Sequence, residues 1–306
     1  MSYIKTTASA LALLSLAGFP AMAHGPESDS EKTVEEAAPE YSIETTDLGG
    51  GIYMLVGRGG NIGVSFGEDG LIMIDDQYDY MSPAIKTALS AISDEPVRLL
   101  INTHFHGDHT GGNAVFMETG ATIVAHHNVH KRLTETTKSD LFDRESGARP
   151  DAAPHLTYGS DMTFHLNGQS ARLIYAPGHT DGDTIVYFQD ANVMHLGDNY
   201  FNGMFPYVDT GAGGNIDGMI EAQHKALDMA DDETQIIPGH GPLATKADLQ
   251  ASYAMLVDIR SKVIIAMDGG KTVDEVVAMD PLVGMEAYNS FIDKDNMVRA
   301  TYFSLD

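Results

Sequence analysis

Four residues able to ligate a metal fall within six positions in Thr103-His104-Phe105-His106-Gly107-Asp108-His109. Imidazole nitrogen and carboxylate oxygen are the donors zinc accepts where thiolate is lacking, and the chain has no cysteine. The cluster follows an apolar run at residues 97–101. A turn there lets His104 and His106 converge on one metal while Asp108 and His109 face a second, and Gly107, Gly111 and Gly112 let the backbone fold tightly. A lone histidine is ordinarily a surface or core residue; three with an aspartate at this spacing read as a ligand set. Further candidates stand beside glycine at the ends of apolar runs: His179 in APGHT, Asp198 in HLGD and His240 in IPGHGP. Such a set suits hydrolysis by a hydroxide generated on metal at neutral pH.

These positions need a scaffold that brings distant loops to one edge. Short β-like runs at residues 51–56, 61–66 and 71–74 are separated by Gly-rich turns. Residues 81–92 have helical spacing, with Ile85, Leu89 and Ile92 on one side, and 97–101 is a buried strand. The second half repeats the order, with strands at 162–166, 172–176, 184–188 and 193–196, a helix at 216–229 and a strand at 235–237. Helices at 247–267 and 272–279 follow. Strands followed by helices in each half predict an α/β fold, an αβ/βα sandwich of two facing mixed sheets flanked by helices. Strand-end loops along one edge would then assemble the site.

The N-terminus has the pattern of a secretory signal peptide at residues 1–23: Lys5, an apolar run over 8–18, and the small-residue exit Ala21-Met22-Ala23. Residues 24–40 form an acidic lead-in with no apolar periodicity, expected to be disordered. Residues 41–306 form the folded domain. The expected location is periplasmic or secreted, with no membrane association after cleavage. A net charge of −26 across 306 residues repels nucleic acid and anionic lipid, so the expected partner is a small-molecule substrate. Strong acidity is equally a trait of proteins from salty habitats. Nothing in the sequence sets the oligomeric state.

In order along the chain, HFHGDHTGG, APGHTDGD, LGDNYF and IIPGHGP closely resemble the metal-binding motifs of metallo-β-lactamase-fold hydrolases, from about Tyr41 to the C-terminus. The resemblance implies two zinc ions per chain. His104, His106 and His179 would hold the first and Asp108, His109 and His240 the second. Asp198 stands where many relatives bridge both metals with a carboxylate, and where one subclass of β-lactamases has cysteine. Asp108 would orient the hydroxide and accept its proton. Asn215, in GGNID, resembles an oxyanion donor of β-lactamases, its alternative role being a cap for the following helix.

The substrate expectation is a β-lactam amide, which would make the protein an antibiotic-resistance enzyme. Export favours it, and the intervals between His104, His179 and His240 resemble secreted β-lactamases more than glyoxalase II. The alternatives are a lactone or thioester hydrolase of glyoxalase II type and an iron-dependent dioxygenase of the same fold. Diiron redox relatives carry Glu at the position of His106, and nuclease relatives need a basic surface. Against the β-lactam, Phe201 stands where many relatives place a lysine for the substrate carboxylate. Arg58 in the Gly57–Gly60 turn is a substitute partner, with surface solvation as its plainer role. His195 is expected to hydrogen-bond a ligand, and Tyr200, Phe201, Phe205 and Tyr207 to form either core or groove wall. His126, His127 and His130 begin a helix and lack a carboxylate at ligand spacing.

Overall fold

The computed structural model describes residues 41–139 and 141–305; the expected leader (1–23) and lead-in (24–40) lie outside them. The first sheet opens with four antiparallel strands, β1 (Glu44–Gly49), β2 (Ile52–Val56), β3 (Ile62–Gly67) and β4 (Gly70–Ile74). Helix α1 (Ser82–Ser90) leads into β5 (Val97–Ile101), which pairs parallel to β4. Two short helices, α2 (Gly107–Thr110) and α3 (Asn113–Met117), precede β6 (Thr122–His126). Helix α4 (His127–Thr134) and the hairpin of β7 (Thr137–Ser139) and β8 (Arg144–Ser146) then lead to β9 (Leu156–Tyr158), and β5, β6 and β9 are parallel.

The second sheet runs in the order β10 (Met162–Leu166), β11 (Gln169–Tyr175), β12 (Thr184–Phe188), β13 (Val193–His195) and β14 (Gln235–Ile237). Helix α5 (Ile216–Met229) makes the crossover that lets β13 and β14 pair parallel. Helices α6 (Lys246–Met267), α7 (Val273–Ala278) and α8 (Lys294–Leu305) complete the chain. Capping boxes start two of them, Thr245 with Asp248 and Thr272 with Glu275, each satisfying two otherwise orphaned helix donors. Among the described residues no helix is long and apolar enough to cross a membrane.

Side-chain alternation builds the layers. On β4, Ile72 and Ile74 join the core between the sheets, with Leu173, Val186 and Phe188 opposite, while Leu71 and Met73 join Ile85, Leu89 and Phe116 on the helical side. Burial on both faces is why β4 reads as a continuous apolar run. On the far side of the second sheet, Ile174, Ile185 and Met194 pack on Ala222 and Ala226 of α5. This is the expected αβ/βα sandwich.

The sequence reading places β5, β10, β12, α5 and β14 with the observed bounds and misses others. Strand β1 is polar and exposed at all but one position, and β9 has only three residues, two of them exposed, so neither shows an apolar pattern. The terminal helix α8 also lies beyond the last predicted element, its buried Met297, Val298, Ala300 and Thr301 being interleaved with polar residues.

Candidate metal centre

Every sequence-predicted ligand position lies in a segment that follows a strand, Asp108 and His109 within the single turn of helix α2. The turn after β5 carries His104 to His109, the β11–β12 turn carries His179, and the ends of β13 and β14 carry Asp198 and His240. The structure draws them into two adjoining groups, His104, His106, His179 and Asp198 in one and Asp108, His109 and His240 in the other, with ligand atoms within 4.8 Å of one another in each. In the first, His106 Nδ1 lies 3.2 Å from His104 Nε2 and 2.8 Å from His179 Nε2. In the second, His240 Nε2 lies 3.3 Å from Asp108 Oδ2. Asp198 links them: Oδ1 is 3.0 Å from His109 Nε2, and Oδ2 is 3.5 Å from His179 Nε2 and 3.4 Å from His240 Nε2.

The far nitrogens of four imidazoles determine what the near ones can do. His109 Nδ1 donates to Asp75 Oδ2 at 2.7 Å, His179 Nδ1 to the Tyr207 carbonyl at 2.7 Å, and His106 Nε2 to Asp209 Oδ2 at 2.9 Å. Thr103 Oγ1 gives its own hydrogen to Asp75 Oδ2 and so accepts from His104 Nδ1 at 3.1 Å. In the neutral ring one nitrogen donates and the other carries a lone pair, so four lone pairs point inward. Outer partners of this kind fix tautomer and ring orientation in metal sites.

Buried acceptors with nothing to accept from confirm that a cation fits. His109 Nε2 and Asp198 Oδ1 are both buried without a hydrogen bond, although they face each other at 3.0 Å. Two lone-pair atoms repel at that separation unless a proton or a metal lies between them, and burial without a partner costs about 1–3 kcal/mol per group. Five imidazoles and two carboxylates, with no thiolate, are donors suited to a borderline metal such as zinc.

In the metal-free protein, protons take the place of that cation. Burial works against the His240 imidazolium, but the carboxylates of Asp198 and Asp108 overcome it and lift its pKa to about 9. Burial likewise opposes ionisation of Asp108, and His109 and His240 reverse the effect, holding it at about 2. His179 goes the other way, pushed by burial to about 4. Metal binding must therefore expel a proton from His240 at every pH below about 9, and the sign follows from linkage. Burial also opposes the His109 imidazolium, and the Asp198, Asp108 and Asp75 carboxylates reverse the effect and hold its pKa well above the usual imidazole range, so its proton must leave as well. Apparent zinc affinity should climb as pH rises from 6 toward 9, which chelator competition across that range would measure. A flat profile between pH 7 and 9 would contradict it.

Two glycines make the close approach possible. A Cβ on Gly60 would run into the His109 ring, and one on Gly239 into Asp198 Oδ1. Asn61 ties these loops together, donating through Nδ2 to the carbonyls of Pro238 and Gly241 at 2.9 Å each. Asp183 shapes the His179 turn by accepting from the Gly178 and Thr180 amides and the Thr180 hydroxyl.

Other sequence expectations are redistributed. His195 bonds no ligand: its Nε2 donates to the Asn61 carbonyl and its Nδ1 accepts from the Gly197 amide, so it braces the loops on either side of the site. Asn215 takes its capping role, its Oδ1 accepting from the Gly218 amide at 2.7 Å at the start of α5. Arg58 is exposed, with its guanidinium 5.5 Å from the centre of the Tyr41 ring. All four residues of the aromatic cluster are buried, and two of them also meet the ligand rings, Phe201 stacking on His240 and Tyr207 on His106. His126 stacks on Tyr175 at 4.1 Å and meets His127 at 4.2 Å. The sequence reading missed Asp75, Asp209, Asn61 and Asp183; only Asp183 lay inside a quoted motif.

A profile described as "Metallo-beta-lactamase superfamily" matches residues 56–253. The chain is 28% identical over 151 residues to "Probable metallo-hydrolase YqgX" of Bacillus subtilis (strain 168), covering 48% of this chain and 69% of that protein. It is 32% identical over 103 residues to a hydroxyacylglutathione hydrolase of Methylococcus capsulatus, 33% of each chain. Among solved structures, a metallo-β-lactamase from Pontibacter korlensis superposes with TM-score 0.58 at 17% identity, over 71% of this chain and all of the other. The sec-alkylsulfatase Pisa1 from a Pseudomonas species gives 0.61 at 15% identity, over 85% of this chain and 50% of its own. These two likenesses speak to fold, whereas the profile spans well over half of the sequence and takes in all seven ligand positions: the chain belongs to the metallo-β-lactamase superfamily.

Proposed function

We propose that the protein is an exported hydrolase of carboxylic thioesters or esters that works with two zinc ions. The observation behind the binuclear reading is Asp198, whose carboxylate reaches both donor groups, Oδ1 facing His109 and Oδ2 facing both His179 and His240. The thioester preference over the β-lactam expected from the sequence draws support from the Methylococcus relative, whose name specifies a glutathione thioester. Export rests on the leader pattern of residues 1–23 alone.

Zinc held by these residues would supply Lewis acidity, polarising a carbonyl oxygen and acidifying water. The chain's own groups supply the rest. His106, Asp108 and His240 have side chains 19%, 22% and 26% exposed, while His104, His109 and His179 are buried, so substrate approaches from the side of the first three. Asp108 stays ionised and can accept a hydrogen bond from water there, orienting it and passing its proton outward. Asp209 and Asp75 keep His106 and His109 in the tautomers that turn lone pairs inward. Phe201 and Tyr207, lying on His240 and His106, wall this face with rings that limit water, and a drier site strengthens every charge interaction within it.

The test is a parallel assay of zinc-loaded protein on S-lactoylglutathione, an acyl-homoserine lactone, a penicillin, a cephalosporin and a carbapenem, with elemental analysis for zinc and iron. Metal-dependent turnover of the thioester or lactone is expected. Turnover of β-lactams alone would return the reading to a β-lactamase, and iron as the bound metal with no hydrolysis would reject it.

A further inference from the structure

A cavity of about 470 Å³ opens beside the metal centre, with His106 and Phe105 in its wall and residues of the segment after β8 on the other side. His106 is the one ligand side chain in its wall, so the cavity adjoins the metal centre at that ring. Two arginines line it, Arg132 and Arg149. Arg132 is engaged by Asp181 through two bonds, Nε to Oδ1 at 3.2 Å and Nη2 to Oδ2 at 2.8 Å.

Arg149 is different. Its guanidinium donates only to neutral oxygens, Nη2 to Thr110 Oγ1 at 2.5 Å and Nη1 to the Thr110 carbonyl at 3.3 Å. Among the described residues it makes no ion pair with a carboxylate. That is a conspicuous arrangement in a chain with 44 acidic and 18 basic side chains, where a half-buried cation would readily find a partner. Thr110 belongs to the same turn as the ligands, and its hydroxyl also lies 3.0 Å from the His106 carbonyl. The guanidinium is thus tethered to the metal-bearing turn without a direct bond to a carboxylate, the buried Asp76 carboxyl acting on it only through space. A guanidinium has five N–H donors in a fixed fork, and two are used here, which leaves three for a ligand. Asp79 and Glu145 also face the cavity, but both are exposed, where water and salt screen them.

We propose that Arg149 binds a carboxylate of the substrate in this cavity, so that the enzyme selects acyl compounds carrying an anionic group beyond the scissile carbonyl. The assignment rests on the hydrolase reading above and adds the substrate class to it. It also supplies the anion partner that Phe201 and Arg58 do not.

The test pairs two thioesters that differ only in charge, 3-(acetylthio)propionate and 3-(acetylthio)propanamide, with Arg149→Met zinc-loaded protein beside the unsubstituted protein. The acid should be preferred by about tenfold or more in kcat/KM, the usual scale for a charge-assisted bond to carboxylate. Arg149→Met should raise KM for the acid about ten- to a hundredfold, leave kcat nearly unchanged, and leave the amide unaffected. Equal losses on both substrates would show that Arg149 only staples Thr110 in place, and no change on either would also overturn the proposal. Calorimetry with the non-hydrolysable thioether 3-(propylthio)propionate and its amide separates this from the hydrolase reading. If no thioester is turned over, binding of the acid alone, weakened by added salt, still supports Arg149, and equal binding of both rejects it. Should Arg149→Met not fold, Arg149→Lys, which keeps the charge and loses the fork, should show a smaller loss on the acid only.

Discussion

Asp198→Asn should lower turnover by at least about a hundredfold and reduce bound zinc well below two equivalents. Outer hydrogen-bond partners of metal ligands already cost about 10–100-fold when removed, and Asp198 touches donors of both groups. The amide presents hydrogens where one carboxylate oxygen presented lone pairs, and it removes a negative charge from a site that must hold cations. Burial opposes ionisation of Asp198, yet the surrounding histidines, His109 first among them, hold its pKa well below the usual carboxylate range. A group with a depressed folded pKa stabilises the fold above its unfolded value and loses that contribution as pH falls. The substitution should therefore also destabilise the metal-free protein at neutral pH, and less so in acid. Elemental analysis, steady-state rates and urea unfolding at two pH values read all three effects. Unchanged stoichiometry and rate would remove Asp198 from the shared position.

The ligand positions were legible because their chemistry is dense and local: three histidines and an aspartate within six residues admit few other readings, and His179, Asp198 and His240 each sit beside a glycine at the end of an apolar run. Strands such as β5 and β12 were legible because burial leaves an apolar run with clear ends. What escaped the sequence is what depends on pairing across long separations. Asn61 is joined to Pro238 and Gly241 across more than 170 positions, and no local pattern marks an asparagine for that task. Asp209 lies 103 positions from the His106 ring that it orients. Asn215 carried two readings, an oxyanion donor by resemblance and a helix cap by local pattern, and the local one is what the geometry shows formed through its Oδ1. Strand β1 was invisible because its exposed polar residues carry no periodic signal and it forms only by pairing with β2.

Asp75 has the second large effect, and its position at the end of β4 shows how the scaffold is coupled to the chemistry. The residue is fully buried and lies in the left-handed backbone region at φ 62°, a conformation that aspartate tolerates better than most residues. Its two oxygens accept three bonds of 2.7 Å, from the Thr103 amide, the Thr103 hydroxyl and His109 Nδ1. Asp75→Asn keeps the size and one acceptor but turns an NH2 group toward His109, so the ring must release its Nδ1 hydrogen and carry it on Nε2 instead. That hydrogen would point at Asp198 Oδ1, where a lone pair is needed for metal. The expected result is a folded protein with zinc affinity in the second group down about 10–100-fold. Asp75→Ala, which leaves three buried donors unanswered, should lose about 3–5 kcal/mol of stability. Nitrogen-15 NMR of the histidine rings reports the tautomer directly, and chelator competition reports the affinity. An Asp75→Asn protein with His109 still protonated at Nδ1 and zinc affinity unchanged would show that this hydrogen bond does not set the ring.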